Sequence, residues 1–214
     1  MQSFKQYFEE SEDSVYSAAK AAGFNVGPLW HQTKRPIKIF DISNKYTSSG
    51  GALEYLIPNG VYLKNTKDKI GVPGDIQLKL FAKINNPLIV DDREKLSMFL
   101  RKNMNGFSEI EDDLIGFRKT ELEKLKTDPN IQVSAKNLQN EYNEKAKQIK
   151  RGVTSFFDKT KFDGIVLNND RGVSTTIGFT PEHIKSAEDV TLDDQGNEIP
   201  LSQRFDTSTQ DIRY

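Results

Sequence analysis

Short apolar segments with the character of β-strands lie toward both ends of the chain. The clearest is Ile76–Ile84, whose first half alternates apolar and polar residues as a half-exposed strand does. Turn signals such as Asn59-Gly60 and Asn85-Asn86-Pro87 separate these segments. The other predicted strands are Pro28–His31, Val61–Leu63, Leu88–Val90, Phe162–Leu167 and Val173–Phe179. We expect the last two to form a hairpin, because only a short run of turn residues separates them.

The middle of the chain, from about Arg93 to Phe157, is charged and has helical periodicity instead. Its longest apolar stripe recurs at steps of three or four and consists of Ala135, Leu138, Tyr142, Ala146, Ile149, Val153 and Phe156. This pattern predicts a helical hairpin packed on the sheet, with a partner-binding arm as the alternative. A further helix is predicted from Ser11 to Ala22. Strands at the two ends and helices in between predict the α+β class.

The length and charge of the chain narrow the choice of function. Its 214 residues suit a single domain spanning 1–214, with the helical segment at about 93–157 as an insertion. The formal net charge is -1, so the chain as a whole has no attraction to nucleic acid or anionic membranes. A nucleic-acid-binding function would depend on Lys145, Lys147, Lys150 and Arg151, whose simpler interpretation is a solvated helix face.

Composition and motifs exclude several kinds of site. The chain contains no cysteine, which excludes disulfides and thiol nucleophiles, and its two histidines have no partner at metal-ligand spacing. It also lacks the glycine-rich phosphate loops of nucleotide-binding folds. We expect no metal and no membrane partner. Because no signal-like or membrane-spanning apolar run occurs, we expect a cytoplasmic protein.

Three polar positions remain, each at the end of a predicted strand: His31, Tyr62 and the pair Glu182-His183. Taken singly, each has an ordinary structural interpretation. His31 is a histidine with satisfied hydrogen bonds, Tyr62 is a sheet aromatic, and Glu182 is a solvated charge. Composition and periodicity therefore assign no function.

Five segments and the last four residues, taken in their order along the chain, say more about function than the single residues do. They are Trp30-His31-Gln32-Thr33 with Ile39-Phe40-Asp41, Asn59–Leu63, Ala82–Asp91, Phe162–Val166, Phe179–Ala187 and the closing Asp211-Ile212-Arg213-Tyr214. In these segments the chain resembles the ADP-ribosyltransferase domains of phage and mobile-element polyvalent proteins, relatives of the diphtheria-toxin-type transferases. The resemblance covers about Leu29 to Tyr214, apart from the helical insertion.

The resemblance implies an ADP-ribosyltransferase-like fold, in which two small packed β-sheets form a cleft for NAD. His31, Gln32 and Thr33 would bind NAD. In this arrangement His31 holds the adenosine ribose through hydrogen bonds and Thr33 supports the loop. A further contact is the stacking of Tyr62 on the nicotinamide ring. The implied catalytic residues are Tyr62, Glu182 and His183. Cleavage of the nicotinamide–ribose bond develops positive charge on the ribose, which a nearby carboxylate stabilises.

The last motif departs from the family, because His183 occupies the position of its glutamine or glutamate. A neutral imidazole carries no negative charge, and neighbours on an extended segment point to opposite faces. Either the segment turns to present Glu182, or His183 does weaker work, or the site binds NAD without reacting.

The implied function is a mono-ADP-ribosyltransferase that acts on a protein or nucleic-acid acceptor and hydrolyses NAD when no acceptor is present. A non-catalytic NAD-binding or protein-interaction module of the same fold is the alternative. We expect a monomer, located in the host cytoplasm if the chain is phage-encoded.

Overall fold

The structure is a computed structural model that describes residues 14–42, 54–66, 76–125, 131–168 and 173–214, with the backbone alone for 131–133. The chain forms two compact units. The sheet unit consists of Met1–Asn44, Gly60–Asp91 and Phe162–Tyr214, and the helical unit of Lys45–Asn59 and Asp92–Lys161. Because strands and long helices are segregated, the predicted α+β class is confirmed.

The described part of the sheet unit contains one α-helix and seven strands. The helix is α1 (Ser14–Ala21), and residues 11–13 of its predicted start lie outside the described part of the chain. The strands are β1 (Val26–Thr33), β2 (Val61–Lys64), β3 (Ile76–Ala82), β4 (Pro87–Val90), β5 (Gly164–Asn168), β6 (Ser174–Gly178) and β7 (Ile184–Ser186). Their order in the sheet is β4-β5-β6-β2-β1-β3-β7. Neighbours are antiparallel except β4 and β5, so β5 and β6 pair as predicted.

The prediction of two separate sheets is corrected, because the described strands are hydrogen-bonded into one sheet. The sheet nearly divides between β1 and β2. Among the described residues, these two strands are paired at a single position, where Trp30 lies opposite Lys64. It is also folded back on itself. In a flat sheet β6 and β7, four places apart, would be roughly 19 Å from each other. A Cβ added to Gly178 in β6 would nevertheless lie 2.9 Å from the Cδ1 atom of Ile184 in β7. The two halves therefore pack together while remaining one sheet.

One hydrophobic cluster joins the two halves of the sheet. Its buried residues are Val26, Leu29, Phe40, Val61, Leu63, Leu80, Ala82, Ile84, Ile184 and Ile212. β2 contributes from one half, and β1, β3 and β7 contribute from the other. The packing leaves no room for a side chain at Gly164, where a Cβ would lie 2.7 Å from the carbonyl oxygen of Ile177.

A second cluster covers the opposite face of β3. It consists of Val15, Ala19, Phe24, Phe81, Ala187 and Phe205. Leu80 belongs to the first cluster and Phe81 to the second, because successive side chains on a strand point to opposite faces. The second half of β3 is therefore buried on both sides, which is why its sequence does not alternate.

The described part of the helical unit contains α2 (Arg93–Asn103), α3 (Phe107–Leu125), α4 (Ile131–Phe157) and a 3₁₀ turn at Glu54–Leu56. Asp92 caps α2 by accepting a 2.7 Å hydrogen bond from the Lys95 N–H. α3 and α4 pack against each other as a hairpin. The apolar stripe predicted for α4 is buried at Ile149 and Val153. It continues to the buried Phe157, whereas the predicted Phe156 is half-buried.

Candidate functional site

His31 and Tyr62 lie next to each other where the two halves of the sheet join. His31 is on β1 and Tyr62 on β2, strands whose antiparallel pairing places Trp30 opposite Lys64. The His31 Nδ1 atom lies 2.9 Å from the backbone carbonyl oxygen of Tyr62. Because a carbonyl oxygen only accepts, Nδ1 carries the proton and donates it. In the neutral ring, Nε2 is then a hydrogen-bond acceptor suited to a hydroxyl group.

The surroundings of His31 favour this neutral form. Its ring lies edge-on to Phe40, with 4.9 Å between the ring centroids. Burial lowers the pKa of His31, and the hydrogen bond to the Tyr62 carbonyl opposes this effect only in part. The same hydrogen bond gives His31 a structural function, since it links β1 to β2 where the ladder is narrowest.

The Tyr62 ring points away from the core. Val61 and Leu63 belong to the hydrophobic cluster, and neighbouring side chains on a strand point to opposite faces. The half-buried Tyr62 ring therefore lies on the other face of β2, beside β6, where Tyr62 is paired with Ile177. His31 bonds to the backbone carbonyl of Tyr62, so the Tyr62 ring takes no part in that hydrogen bond.

Gln32 and Thr33 complete the end of β1, opposite Gln77 and Ile76 of β3. Gln32 is half-buried. The Thr33 hydroxyl donates a 3.0 Å hydrogen bond to the Arg35 carbonyl and so closes the turn after the strand. A hydrogen bond of this kind would let Thr33 support the loop, as the resemblance implies.

Glu182 and His183 lie in a 3₁₀ turn, Pro181–His183, between β6 and β7. The His183 N–H donates to the Thr180 carbonyl at 3.0 Å, and the His183 carbonyl accepts from the Lys83 N–H at 2.9 Å. The chain is thus not extended at these two residues. The segment therefore turns at Glu182, and that this turn presents Glu182 to a ribose stays a prediction.

The two side chains of this turn have different charges at neutral pH. Glu182 Oε1 accepts a 2.7 Å hydrogen bond from Gln210 Nε2, and this bond is the main reason that the pKa of Glu182 is lowered. Burial, together with the nearby Lys83 ammonium, lowers the pKa of His183. Glu182 is therefore a carboxylate and His183 a neutral imidazole.

Two residues that the sequence analysis missed hold this turn in place. Lys185 is 1% exposed, and its ammonium donates 2.8 Å hydrogen bonds to the carbonyls of Thr209 and Asp211. These carbonyls flank Gln210, the residue that donates to Glu182. The C-terminal segment therefore positions the carboxylate. Lys185 lies within the segment Phe179–Ala187 that carries the resemblance, but its place between Ile184 and Ser186 gave no sign of its burial.

Only part of the predicted site comes together, because His31 contacts the backbone carbonyl of Tyr62 while the Tyr62 ring lies on the face of β2 away from the core. The predicted residues form two separate pairs. One pair joins β1 to β2, and the other lies in the turn before β7. His31 is opposite Leu78 of β3, whereas His183 is bound to Lys83, five residues after Leu78. At about 3.3 Å per residue, the backbones of His31 and His183 are roughly 16 Å apart along the direction of β3.

The described residues contain no group of three or more His, Asp or Glu side chains that could hold a metal ion. None of the described helices is long and apolar enough to cross a membrane. Comparison with protein-family models, with curated proteins and with solved structures found no match for the chain. A functional assignment therefore depends on the residues themselves.

Proposed function

We propose that the sheet unit is an ADP-ribosyltransferase-like domain that binds NAD, cleaves its nicotinamide–ribose bond and transfers ADP-ribose to a protein or nucleic-acid acceptor. The observation that carries this proposal is the hydrogen bond between His31 Nδ1 and the Tyr62 carbonyl. It joins two residues that the resemblance selects, although they are 31 positions apart in the chain. It also leaves Nε2 of His31 as an acceptor for a ribose hydroxyl.

The separation of the two residue pairs suits a long dinucleotide. NAD has one ribose on each side of its pyrophosphate, so two ribose-binding groups must stand apart. In the proposed complex His31 binds the adenosine ribose, and Gln32 and Thr33 support that end. Glu182 binds the nicotinamide ribose. The Tyr62 ring lies beside β6, the strand that leads into the turn of Glu182, and stacks on the nicotinamide.

Glu182 supplies the charge that the reaction needs. As the bond breaks, the bonding electrons leave with nicotinamide and positive charge develops on the ribose. A carboxylate beside the ribose stabilises this transition state more than the ground state, in which the ribose itself is uncharged. The nucleophile of the acceptor, or water, then bonds to the ribose carbon and loses its proton. His183 contributes a hydrogen bond and no charge.

The decisive experiment measures nicotinamide released from NAD by the wild-type protein and by Glu182→Gln. This substitution keeps the shape of the side chain and removes its charge, so we expect release to fall roughly 100-fold. Glu188→Gln is the matched control, because Glu188 is an exposed carboxylate outside the turn and its loss should not change the rate. Tyr62→Ala should also lower release, while the backbone carbonyl that binds His31 is retained.

The outcomes separate an enzyme from a binding module. A rise in melting temperature with NAD, without nicotinamide release, would replace the enzyme by a non-catalytic NAD-binding module. If NAD is neither cleaved nor stabilising, both assignments are wrong. Equal release by the wild type and Glu182→Gln would remove Glu182 from the mechanism.

A further inference from the structure

The helical unit contains a groove that the proposed NAD chemistry does not use. The groove has a volume of about 310 Å³, lies along α3, and includes Tyr55 and Tyr142 in its lining. Its apolar wall consists of Leu114, Ile115 and Leu122. Leu114 is buried, whereas Ile115 and Leu122 are 51% and 46% exposed. Exposed apolar side chains beside a cavity are typical of interaction sites.

Two cations, Arg118 and Lys119, lie in the middle of this wall. Both side chains are exposed, and neither forms an ion pair with another residue in the described ranges of the chain. The Arg118 guanidinium lies over the Tyr142 ring, 5.7 Å from its centroid. This contact holds one positive charge beside the groove.

The buried carboxylate of the same helix, Glu111, is already bound by other groups. It is 2% exposed and accepts hydrogen bonds from the Ser97 hydroxyl, from Arg101 Nε at 2.6 Å and from the Tyr55 hydroxyl at 3.3 Å. Arg101 compensates its negative charge. Glu111 is therefore not a counter-ion of Arg118 or Lys119.

The spacing along α3 defines what fits. The exposed Ile115, Lys119 and Leu122 follow one another at steps of four and three residues, about 10 Å in all along the helix axis, and Arg118 lies beside Lys119. The groove thus presents an apolar, a cationic and an apolar position in a row. A helix with an apolar, an acidic and an apolar residue at the same spacing matches this row in both hydrophobicity and charge. A volume near the lower end of the roughly 300–1,000 Å³ of small-molecule pockets suits inserted side chains better than a whole ligand.

We propose that this groove binds an amphipathic helix of a partner protein, in which an acidic residue lies one turn from an apolar residue on each side. The apolar residues pack beside Ile115 and Leu122, and the acidic residue pairs with Arg118 and Lys119. This binding function does not depend on the proposed NAD chemistry. It assigns a defined surface to the partner-binding alternative that the helical pattern left open.

The test is fluorescence anisotropy with two labelled, alanine-based helical peptides. One carries Leu, Glu and Leu at successive steps of four and three residues, and the other carries Leu, Lys and Leu at the same positions. The wild type should bind the Glu peptide about tenfold more tightly, because the Lys peptide replaces surface ion pairs by repulsion. The double variant Arg118→Glu with Lys119→Glu should reverse this preference. Leu122→Ala should weaken the binding of both peptides. The helical circular-dichroism signal verifies that these surface variants fold.

Two results would overturn the proposal. The first is equal affinity for the two peptides, or no saturable binding of either. The second is self-association of the protein without peptide, measured by sedimentation and lost in the double variant. That result would assign the groove to a second copy of the chain.

Discussion

Replacing Lys185 with methionine tests how the C-terminal segment holds the turn that carries Glu182. Methionine keeps an unbranched side chain of similar length but cannot donate to the carbonyls of Thr209 and Asp211. Each buried acceptor left without a partner costs about 1–3 kcal/mol, while the loss of a buried charge offsets part of this cost. At pH 7 we expect Lys185→Met to lower the free energy of unfolding by about 1–3 kcal/mol.

The same substitution should have an effect that grows with pH. Burial lowers the pKa of Lys185 from 10.5 to about 8 in the folded protein, against the opposing effect of the Asp206, Asp211 and Glu182 carboxylates. Between these two values the unfolded chain binds more protons than the folded chain, so wild-type stability rises with pH there. The stability that this pKa difference contributes is fully present above pH 10.5, and it is lost as the pH falls through about 8. The difference in pKa corresponds to roughly 3 kcal/mol.

The chain provides its own probe for this measurement. Its single tryptophan, Trp30, lies on β1 of the sheet unit, so its fluorescence reports unfolding of the unit that contains Lys185. Urea unfolding at pH 7 and pH 10 gives the difference in unfolding free energy between the wild type and Lys185→Met. The contributions of the other titrating groups are common to both proteins and cancel in this difference. A difference that stays constant or shrinks at the higher pH would refute the reasoning.

Two other substitutions test the packing of each unit. Glu111→Ala should destabilise the helical unit by about 2–4 kcal/mol, because it leaves Arg101 and the Ser97 hydroxyl without their buried acceptor, and Glu111→Gln should cost less. Thermal melting followed by the helical circular-dichroism signal measures both, and no loss in Glu111→Ala would contradict the assignment. Gly164→Ala should destabilise the sheet unit by at least about 2 kcal/mol in the Trp30 assay, since its Cβ would meet the Ile177 carbonyl. Gly116→Ala, with nothing within 4 Å, should instead stabilise α3 by about 1 kcal/mol in the circular-dichroism assay.

The helices and most strands could be predicted because their signals are local. The stripe of α4 depends only on the spacing of residues such as Ile149 and Val153, which one buried helix face explains. β3 shows where such signals fail. Leu80 and Phe81 are both buried because each face of the strand packs against a different cluster, and this depends on distant segments that alternation does not reveal.

The strand connections and the folding of the sheet could not be predicted from local sequence patterns, because they also depend on distant segments. Hydrogen bonds pass through the junction at Trp30 and Lys64, and the sheet folds so that Gly178 approaches Ile184. Neither feature has a sequence signal of its own. The prediction of two separate sheets was therefore wrong about the connection between β1 and β2.

The candidate site was predictable only in part. His31, Tyr62 and Glu182 were selected by resemblance, whereas Gln210 and Lys185 were missed. A lysine is usually solvated, and the tail after Glu188 is polar, so nothing local indicated a buried ammonium between two carbonyls. Long-range contacts gave these residues their function, as the hydrogen bond from Gln210 to Glu182 illustrates.

NAD cleavage and helix binding should be separable, because the residues proposed for them belong to different units. The residues proposed to bind and cleave NAD all belong to the sheet unit, so reversing the charges of Arg118 and Lys119 should leave nicotinamide release unchanged. Glu182→Gln should likewise leave peptide binding unchanged. A clear change in nicotinamide release in the Arg118→Glu, Lys119→Glu variant would mean that these cations take part in the NAD chemistry, and this division of functions would be wrong.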